Sequence, residues 1–124
     1  MEAVAILNKI IELRAGYTTV FILDAAQKIG LFEALFQKKK TVEELATELK
    51  VVPDALRRML VVLCENNVVM RGNARFTNTE LGDALSSYAK VSYAPLIGVG
   101  PLAQLWRYLP DALREGGPQW DKLG

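Results

Sequence analysis

Histidine and cysteine, two side chains that often perform catalysis, are nearly absent from this sequence of 124 residues. It contains no histidine, the residue that most often serves as a general base near neutral pH and as a metal ligand. Its single cysteine, Cys64, lies beside the apolar Leu63 and has no histidine partner to activate it as a nucleophile. We therefore interpret Cys64 as a small packing residue, with a reactive thiol as the alternative. The sequence predicts no catalytic residue and no metal site.

Basic side chains are the next candidates, because arginines on a helix are one means of reading DNA. Arg57 and Arg58 fall in a predicted helix, and 38–40 is a run of three lysines. Between Thr41 and Glu80, however, five basic residues stand against six acidic ones, and the whole chain has a net charge of +1. A surface that neutralises phosphates needs a local excess of cations. The charge pattern therefore disfavours nucleic acid as a partner, and we interpret the lysine run as a solvated loop.

Asp24 stands out because it interrupts an almost continuously apolar stretch. Lys28 follows four residues later, at the spacing that brings opposite charges together on one face of a helix. An ion pair between Asp24 and Lys28 within the helix is the favoured interpretation. The alternative is a carboxylate presented to a partner subunit.

The composition limits what these residues can belong to. Hydrophobic residues make up 51% of the chain, which excludes an intrinsically disordered protein and favours an apolar surface covered by another copy or another domain. No uncharged run of about 18 residues is present to span a bilayer, and Glu2 stands where a signal peptide carries positive charge. A lone cysteine also excludes an internal disulfide. We expect a soluble, cytoplasmic chain with no membrane partner.

Apolar periodicity predicts helices at the start of the chain. A first helix is expected over 2–15, ended by Gly16, and a second over 18–29, ended by Gly30. The second helix is apolar on most sides, so it is expected to be buried on most sides. A short helical turn over 31–36 follows.

The middle of the chain carries stronger local signals. Thr41 and Glu44 fit a capping box, in which side chains satisfy the free N–H groups at a helix start, and this predicts a helix over 42–49. Pro53 is well placed in the first turn of a further helix over 53–66. Two helices joined by a tight turn are therefore expected here.

A β-hairpin is expected after these two helices. The β-branched and aromatic residues at 68–70 and 75–77 flank Gly72 and Asn73, a pair typical of a tight turn. Helix, turn, helix and hairpin is the order of a winged helix. The sequence thus predicts a mainly α, winged-helix-like fold with a small hairpin and additional N- and C-terminal helices.

The C-terminal third has weaker patterns. Asn78 or Thr79 is expected to cap a short helix that reaches about residue 86. A helix is predicted over 91–99, although proline and glycine interrupt the pattern. A clearer apolar stripe predicts a helix over 101–114 that bends or restarts at Pro110.

Five segments, in this order, carry a resemblance to a known family. They are ILDAAQKIGLFEAL (22–35), TVEELA (41–46), PDALRRML (53–60), RFTNTELG (75–82) and the stretch from LW to LREGG (105–117). Together they resemble the N-terminal dimerisation domain of S-adenosylmethionine (SAM)-dependent O-methyltransferases of the plant caffeic-acid and bacterial small-molecule type. The resemblance covers nearly the whole chain.

The resemblance implies an intertwined homodimer and three regions. These are dimerisation helices (1–36), a winged-helix-like core (37–86) and C-terminal helices (87–124) leading to the chain's own catalytic domain, which we expect to be missing from this sequence. The parent enzyme is expected to transfer a methyl group from SAM to a hydroxyl of an aromatic or polyketide-like small molecule. Gly98 and Gly100 follow no convincing strand and form no G-x-G-x-x-G turn. We therefore expect this chain alone to have no cofactor site and no activity.

The same resemblance implies candidate substrate-binding residues, because helices of this domain form part of the acceptor pocket in related methyltransferases. Phe21 and Trp106 are expected to line that pocket, with Tyr17 and Leu96 behind them. Packing in the core or in the dimer interface is the alternative interpretation of these aromatic side chains. Two other functions stay open at this point: a winged-helix transcriptional regulator and a docking domain of a multi-domain synthase.

Overall fold

The computed structural model describes residues 2–97 and 106–123. Six α-helices and one two-stranded sheet are the regular elements of these ranges. They are α1 (Ala3–Ile29), α2 (Leu31–Ala34), α3 (Val42–Leu49), α4 (Pro53–Glu65), β1 (Val69–Gly72), β2 (Arg75–Asn78), α5 (Glu80–Ala84) and α6 (Leu109–Glu115). Short 3-10 turns add to them at Ala94–Leu96 and Trp120–Leu123. The fold class is mainly α with a small antiparallel hairpin, as the sequence predicted.

Helix α1 runs without interruption from Ala3 to Ile29, so the predicted break at Gly16 is wrong. Gly16 does not leave the helical conformation, since an interior glycine weakens a helix by about 0.5–1 kcal/mol without ending it. Gly30 does end the helix, because it adopts the left-handed conformation (φ 82°) and its N–H bonds back to the carbonyls of the last turn.

The expectation that the second half of this helix is buried on most sides also needs correction. From Ile22 onward the side chains are buried or half-buried apart from Lys28, whereas Val20 and Phe21 remain exposed. The helix leaves the domain core at that point. Apolar composition alone did not show which part of the helix the core covers.

Helices α3 and α4 form as predicted. Glu44 N donates to Thr41 Oγ1 (3.1 Å) and Thr41 N donates to Glu44 Oε1 (3.4 Å), which confirms the capping box. Pro53 lies in the first turn of α4, where its missing N–H has no partner to lose. The tight turn between the two helices passes through Lys50 in the left-handed conformation (φ 59°).

Strands β1 and β2 pair antiparallel, with Met70 opposite Thr77. The turn residues are Asn73 and Ala74, both at positive φ (50° and 64°), so the turn lies one residue later than Gly72 and Asn73 suggested. Lys40 lengthens the sheet by one bridge, exchanging two backbone hydrogen bonds of 2.9 and 2.7 Å with Phe76.

Helix α5 begins after Thr79, whose hydroxyl accepts from Gly82 N (3.4 Å), so Thr79 rather than Asn78 is the cap. Gly82 lies directly against the hairpin: a Cβ placed on it would lie 2.3 Å from the carbonyl oxygen of Val68. The side chain of Asn78 is buried and donates to the carbonyl of Phe32 (2.8 Å). This contact ties the end of the hairpin to α2.

One hydrophobic core lies between the C-terminal end of α1, helices α2 to α5 and the hairpin. Its largest fully buried side chains are Phe32, Leu31, Leu35, Leu45, Leu60, Leu63 and Val69. Helix α1 contributes its last two turns, through buried Ala26 and through Ile22, Leu23 and Ile29, which pack against the core.

The C-terminal predictions hold only in part. Within the described residues, the helix predicted over 91–99 is reduced to the 3-10 turn Ala94–Leu96, because Pro95 cannot donate the backbone hydrogen bond that an α-helix continuing through it requires. Helix α6 starts at Leu109 with Pro110 in its first turn, so of the two predicted alternatives at Pro110 the structure shows the restart and not the bend. Residues 98–105, where both predictions continue, lie outside the described ranges.

Candidate self-association surface

The largest group of exposed apolar side chains lies on the N-terminal two-thirds of α1. All members of this group are between 41% and 73% exposed. They are Val4, Ile6, Leu7, Ile10, Ile11, Leu13, Tyr17, Val20 and Phe21. Covering one such side chain contributes about 1.5–3 kcal/mol, so nine of them left in water are a strong driving force for association.

Five of these residues form a regular stripe along the helix. Ile6, Ile10, Leu13, Tyr17 and Val20 follow one another at alternating intervals of four and three residues. That spacing averages 3.5 residues, which keeps the side chains on one side of a helix and is the pattern through which helices pair with one another. We call these five residues the α1 stripe. The arrangement is suited to a partner that supplies an apolar helix face.

Sequence reasoning found part of this surface and missed the rest. The predicted stop at Gly16 divides the stripe between two helices, so the sequence alone does not place Ile6 and Val20 on one surface. The signal was present in the sequence, because the 3.5-residue spacing continues through Gly16 without a change of phase. The apolar spacing on both sides of Gly16 therefore predicts one helix, although glycine by itself favours a helix end.

Of the four predicted substrate-binding residues, the structure brings two into contact. The rings of Tyr17 and Phe21 lie on successive turns of α1, with their centroids 4.8 Å apart and their planes tilted by 59°. Leu96 and Trp106 are 79% and 74% exposed. No ring contact within the described residues joins Trp106 to Tyr17 or Phe21. The 3-10 turn that carries Leu96 is bonded to α1, since Gln27 Nε2 donates to the carbonyl of Ala94 (3.0 Å).

Asp24 marks the point where α1 meets the core. Its carboxylate is buried, and Lys28 Nζ lies 2.7 Å from Asp24 Oδ2, which confirms the predicted ion pair. The lysine side chain is two-thirds exposed, so water solvates one partner of the pair. An acidic residue in the apolar segment is thus accommodated without a second subunit.

Two of the basic residues in and before helices α3 and α4 lie beside carboxylates. Arg57 Nη1 lies 2.6 Å from Asp54 Oδ1, and Lys40 Nζ lies 2.6 Å from Glu48 Oε1. The guanidinium of Arg57 also lies 3.6 Å from Glu43. Such exposed pairs add little stability, but they place negative charge where a phosphate would bind. This arrangement does not favour the transcriptional-regulator hypothesis.

Cys64 behaves as a packing residue. It is half-buried and packs against the core, as the sequence indicated. Burial raises the pKa of its thiol, and the nearby Arg71 only partly opposes that effect. The thiol is therefore protonated at neutral pH, whereas nucleophilic cysteines need a lowered pKa.

In ranges 2–97 and 106–123, no group of three or more cysteine, aspartate or glutamate side chains is placed to hold a metal ion. No helix there is both long enough and apolar enough to cross a membrane.

The motifs, the fold and the exposed helix agree with one family. Residues 11–87 match the O-methyltransferase dimerisation domain. The chain belongs to this family of dimerisation domains.

Relatives of known identity support this assignment. The O-demethylpuromycin-O-methyltransferase of Streptomyces alboniger is 27% identical over 119 residues, covering 94% of this chain and 32% of that protein. CalO1, a methyltransferase in calicheamicin biosynthesis solved in its SAH-bound form, is 28% identical with a TM-score of 0.83, covering 99% of this chain and 38% of CalO1. Human N-acetylserotonin methyltransferase, solved in complex with SAM, has the same fold (TM-score 0.80, 22% identity, 99% and 37% covered). The chain spans about a third of the length of these proteins.

Proposed function

We propose that this chain forms a homodimer through the α1 stripe. The observation that carries the proposal is the stripe itself: five apolar side chains at helix-pairing spacing on a segment of α1 that the domain core does not cover. Membership of a family of dimerisation domains supports a second copy as the partner. Two copies of one helix also provide matching apolar faces, which a twofold-symmetric interface requires.

Light scattering and sedimentation test this proposal. The wild-type chain is expected at twice its mass of 13.7 kDa. Ile10→Asp places a carboxylate in the middle of the stripe and is expected to weaken the dimer at least tenfold, since a buried unpaired charge is strongly unfavourable. Asn8→Asp is the matched control, because it adds the same charge on the opposite side of α1. A monomeric wild type, or equal effects of both variants, contradicts the proposal.

We further propose that the chain acts as part of a longer SAM-dependent O-methyltransferase. The names of the relatives support this parent activity. The acceptor would be a small aromatic or polyketide-like molecule with a free hydroxyl. The sheet of the described residues is a single antiparallel hairpin, not the strand–turn–helix unit that commonly cradles a nucleotide-like cofactor, so we assign the SAM site to a separate catalytic domain. The chain by itself is then inactive.

Isothermal titration tests the division between the two parts. The 124-residue chain is expected to show no heat of binding with SAM, and a micromolar dissociation constant would place a cofactor site within it.

Two other expectations stay predictions under this proposal. They are the division into regions 1–36, 37–86 and 87–124 and a cytoplasmic location. The lone, protonated Cys64 is compatible with a reducing compartment.

We also propose which side chains contact the methyl acceptor. Tyr17 and Phe21 form an exposed aromatic pair, and the turn carrying Leu96 is bonded to the same helix, which supports an acceptor wall at the edge of the proposed dimer interface, where the second copy and the ligand both contact these side chains. Trp106 joins them by family resemblance. In the longer enzyme, Trp106→Ala is expected to raise KM for the acceptor several-fold and to leave SAM affinity unchanged. An equal loss of SAM affinity would make Trp106 a packing residue instead.

A further inference from the structure

The 3-10 turn Ala94–Leu96 is fastened to the domain at several points. Gln27 Nε2 donates to the carbonyl of Ala94 (3.0 Å), although the two residues are 67 positions apart. Just before the turn, Tyr93 N donates to the carbonyl of Ala84 (2.8 Å). Ile97, which follows the turn, packs against the core. The turn is therefore a fixed part of the surface and not a loose connection.

Gln27 lies seven residues beyond Val20, the last member of the α1 stripe. Continuing the intervals of four and three residues beyond Val20 leads to Asp24 and then to Gln27. Seven residues of α-helix rise by about 10 Å, so the turn bonded to Gln27 lies about two helical turns beyond the last residue of the stripe. Leu96 itself is 79% exposed, although both flanking segments are held in place.

We infer that Gln27 is a positioning residue that holds Leu96 as the last apolar contact of the association surface, so that the second copy covering the α1 stripe also covers the turn. This inference rests on the homodimer proposed above and adds a second element to its surface. The side-chain amide suits this role, because it donates to a carbonyl without bringing a charge into the interface. A glutamate at the same position could not donate at neutral pH.

Amide hydrogen exchange on the wild-type chain and on Gln27→Met tests the positioning step. The reporters are the amides of Leu96 and Ile97, which donate to the carbonyls of Tyr93 (3.0 Å) and Ala94 (3.1 Å). Removing one hydrogen bond is expected to raise their exchange rates about fivefold. Thr19→Val is the matched control, because it removes a side-chain bond to the backbone of the same helix without touching the turn. Unchanged rates in Gln27→Met overturn the inference.

A second variant covers the case in which Gln27→Met fails to fold. Gln27→Glu keeps the length of the side chain and is expected to lose protection of the two amides at neutral pH. Protonation of its carboxyl group near pH 4 restores a donor, so protection should recover there after correction for intrinsic exchange. A lack of recovery contradicts a hydrogen-bonding role for this position.

The dimer dissociation constant tests whether the turn belongs to the interface. Leu96→Asp is expected to weaken the dimer about tenfold, whereas Val91→Asp, at an exposed apolar position outside the turn, should change it less than twofold. If Ile10→Asp weakens the dimer and Leu96→Asp does not, the α1 interface stands and this inference fails. If neither variant changes the dimer, both the inference and the proposed interface are wrong.

Discussion

Residues 3–21 and the segment from Leu31 to Leu85 use their apolar side chains in opposite ways. In the later segment, short helices and a hairpin enclose one another, and residues such as Phe32 and Leu60 are fully buried. In the earlier segment a single helix carries as dense a set of apolar residues, and Leu13 or Tyr17 stays about two-thirds exposed or more. Hydrophobic content alone therefore does not show whether a segment builds its own core or needs a partner.

The largest effect is expected from a cavity in the self-contained segment. Leu60→Ala removes three carbon atoms at a position with no solvent exposure, and we expect it to lower the free energy of unfolding by about 2–5 kcal/mol. Val61→Ala, its half-exposed neighbour in α4, should stay within about 0.5 kcal/mol of wild type. Urea denaturation measures both. A similar loss from Leu13→Ala in isolated monomers would remove the distinction between the two regions.

A second prediction compares a glycine from each region. Gly82→Ala forces a Cβ to within 2.3 Å of the Val68 carbonyl oxygen, which is backbone and cannot rotate away, so we expect a loss of about 1–3 kcal/mol from overpacking. Urea denaturation of this variant measures the change in the free energy of unfolding. An unchanged value would contradict a tight contact between Gly82 and the start of the hairpin.

The glycine in α1 should respond with the opposite sign. Gly16→Ala meets no atom within 4 Å and replaces the weakest helix former but proline in the interior of a helix. We expect it to stabilise the protein by about 0.5–1 kcal/mol and to leave the dimer intact. Circular dichroism melts and light scattering check both parts. Destabilisation would indicate that the helix needs its flexibility at this point.

The smallest effect concerns Cys64 and pH. Burial raises the pKa of its thiol, so the folded chain holds this proton more tightly than the unfolded chain does. The associated stability is therefore present below the pKa of the unfolded thiol, and it is lost as the pH rises through the folded value. We expect stability to fall more steeply above about pH 8.5 in wild type than in Cys64→Ala. Parallel curves would show that the thiol is not held in its neutral form.

How far the sequence predicted the structure depends on the range of the interactions involved. The capping box at Thr41, the start of α4 at Pro53 and the hairpin depend on residues a few positions apart, and all three formed in nearly the expected places. The effect of Gly16 depends on whether the turns on both sides stay helical, which a single residue does not determine. The hydrogen bond between Gln27 and Ala94 joins positions 67 residues apart, and no local sequence pattern predicts such a contact.

The same division applies to the candidate site. Tyr17 and Phe21 are one helical turn apart, so their proximity follows from helix geometry, and the structure shows it. Their relation to Leu96 and Trp106 depends on how distant segments fold back, and this stays a prediction. The spacing of the exposed stripe is present in the sequence, and the continuity of α1 through Gly16 places all five of its residues on one helix.

Because α1 is one continuous helix, its length fixes the direction in which the stripe faces relative to the core. A helix of 27 residues is a rod about 40 Å long, and each residue in it turns the chain by about 100°. One residue inserted after Gly16 would swing the distal part of the stripe, Ile6 to Leu13, by that angle relative to Gln27 and the core, while seven inserted residues would nearly restore its direction. The number of residues between the core and the stripe therefore sets the orientation of a second copy relative to the core.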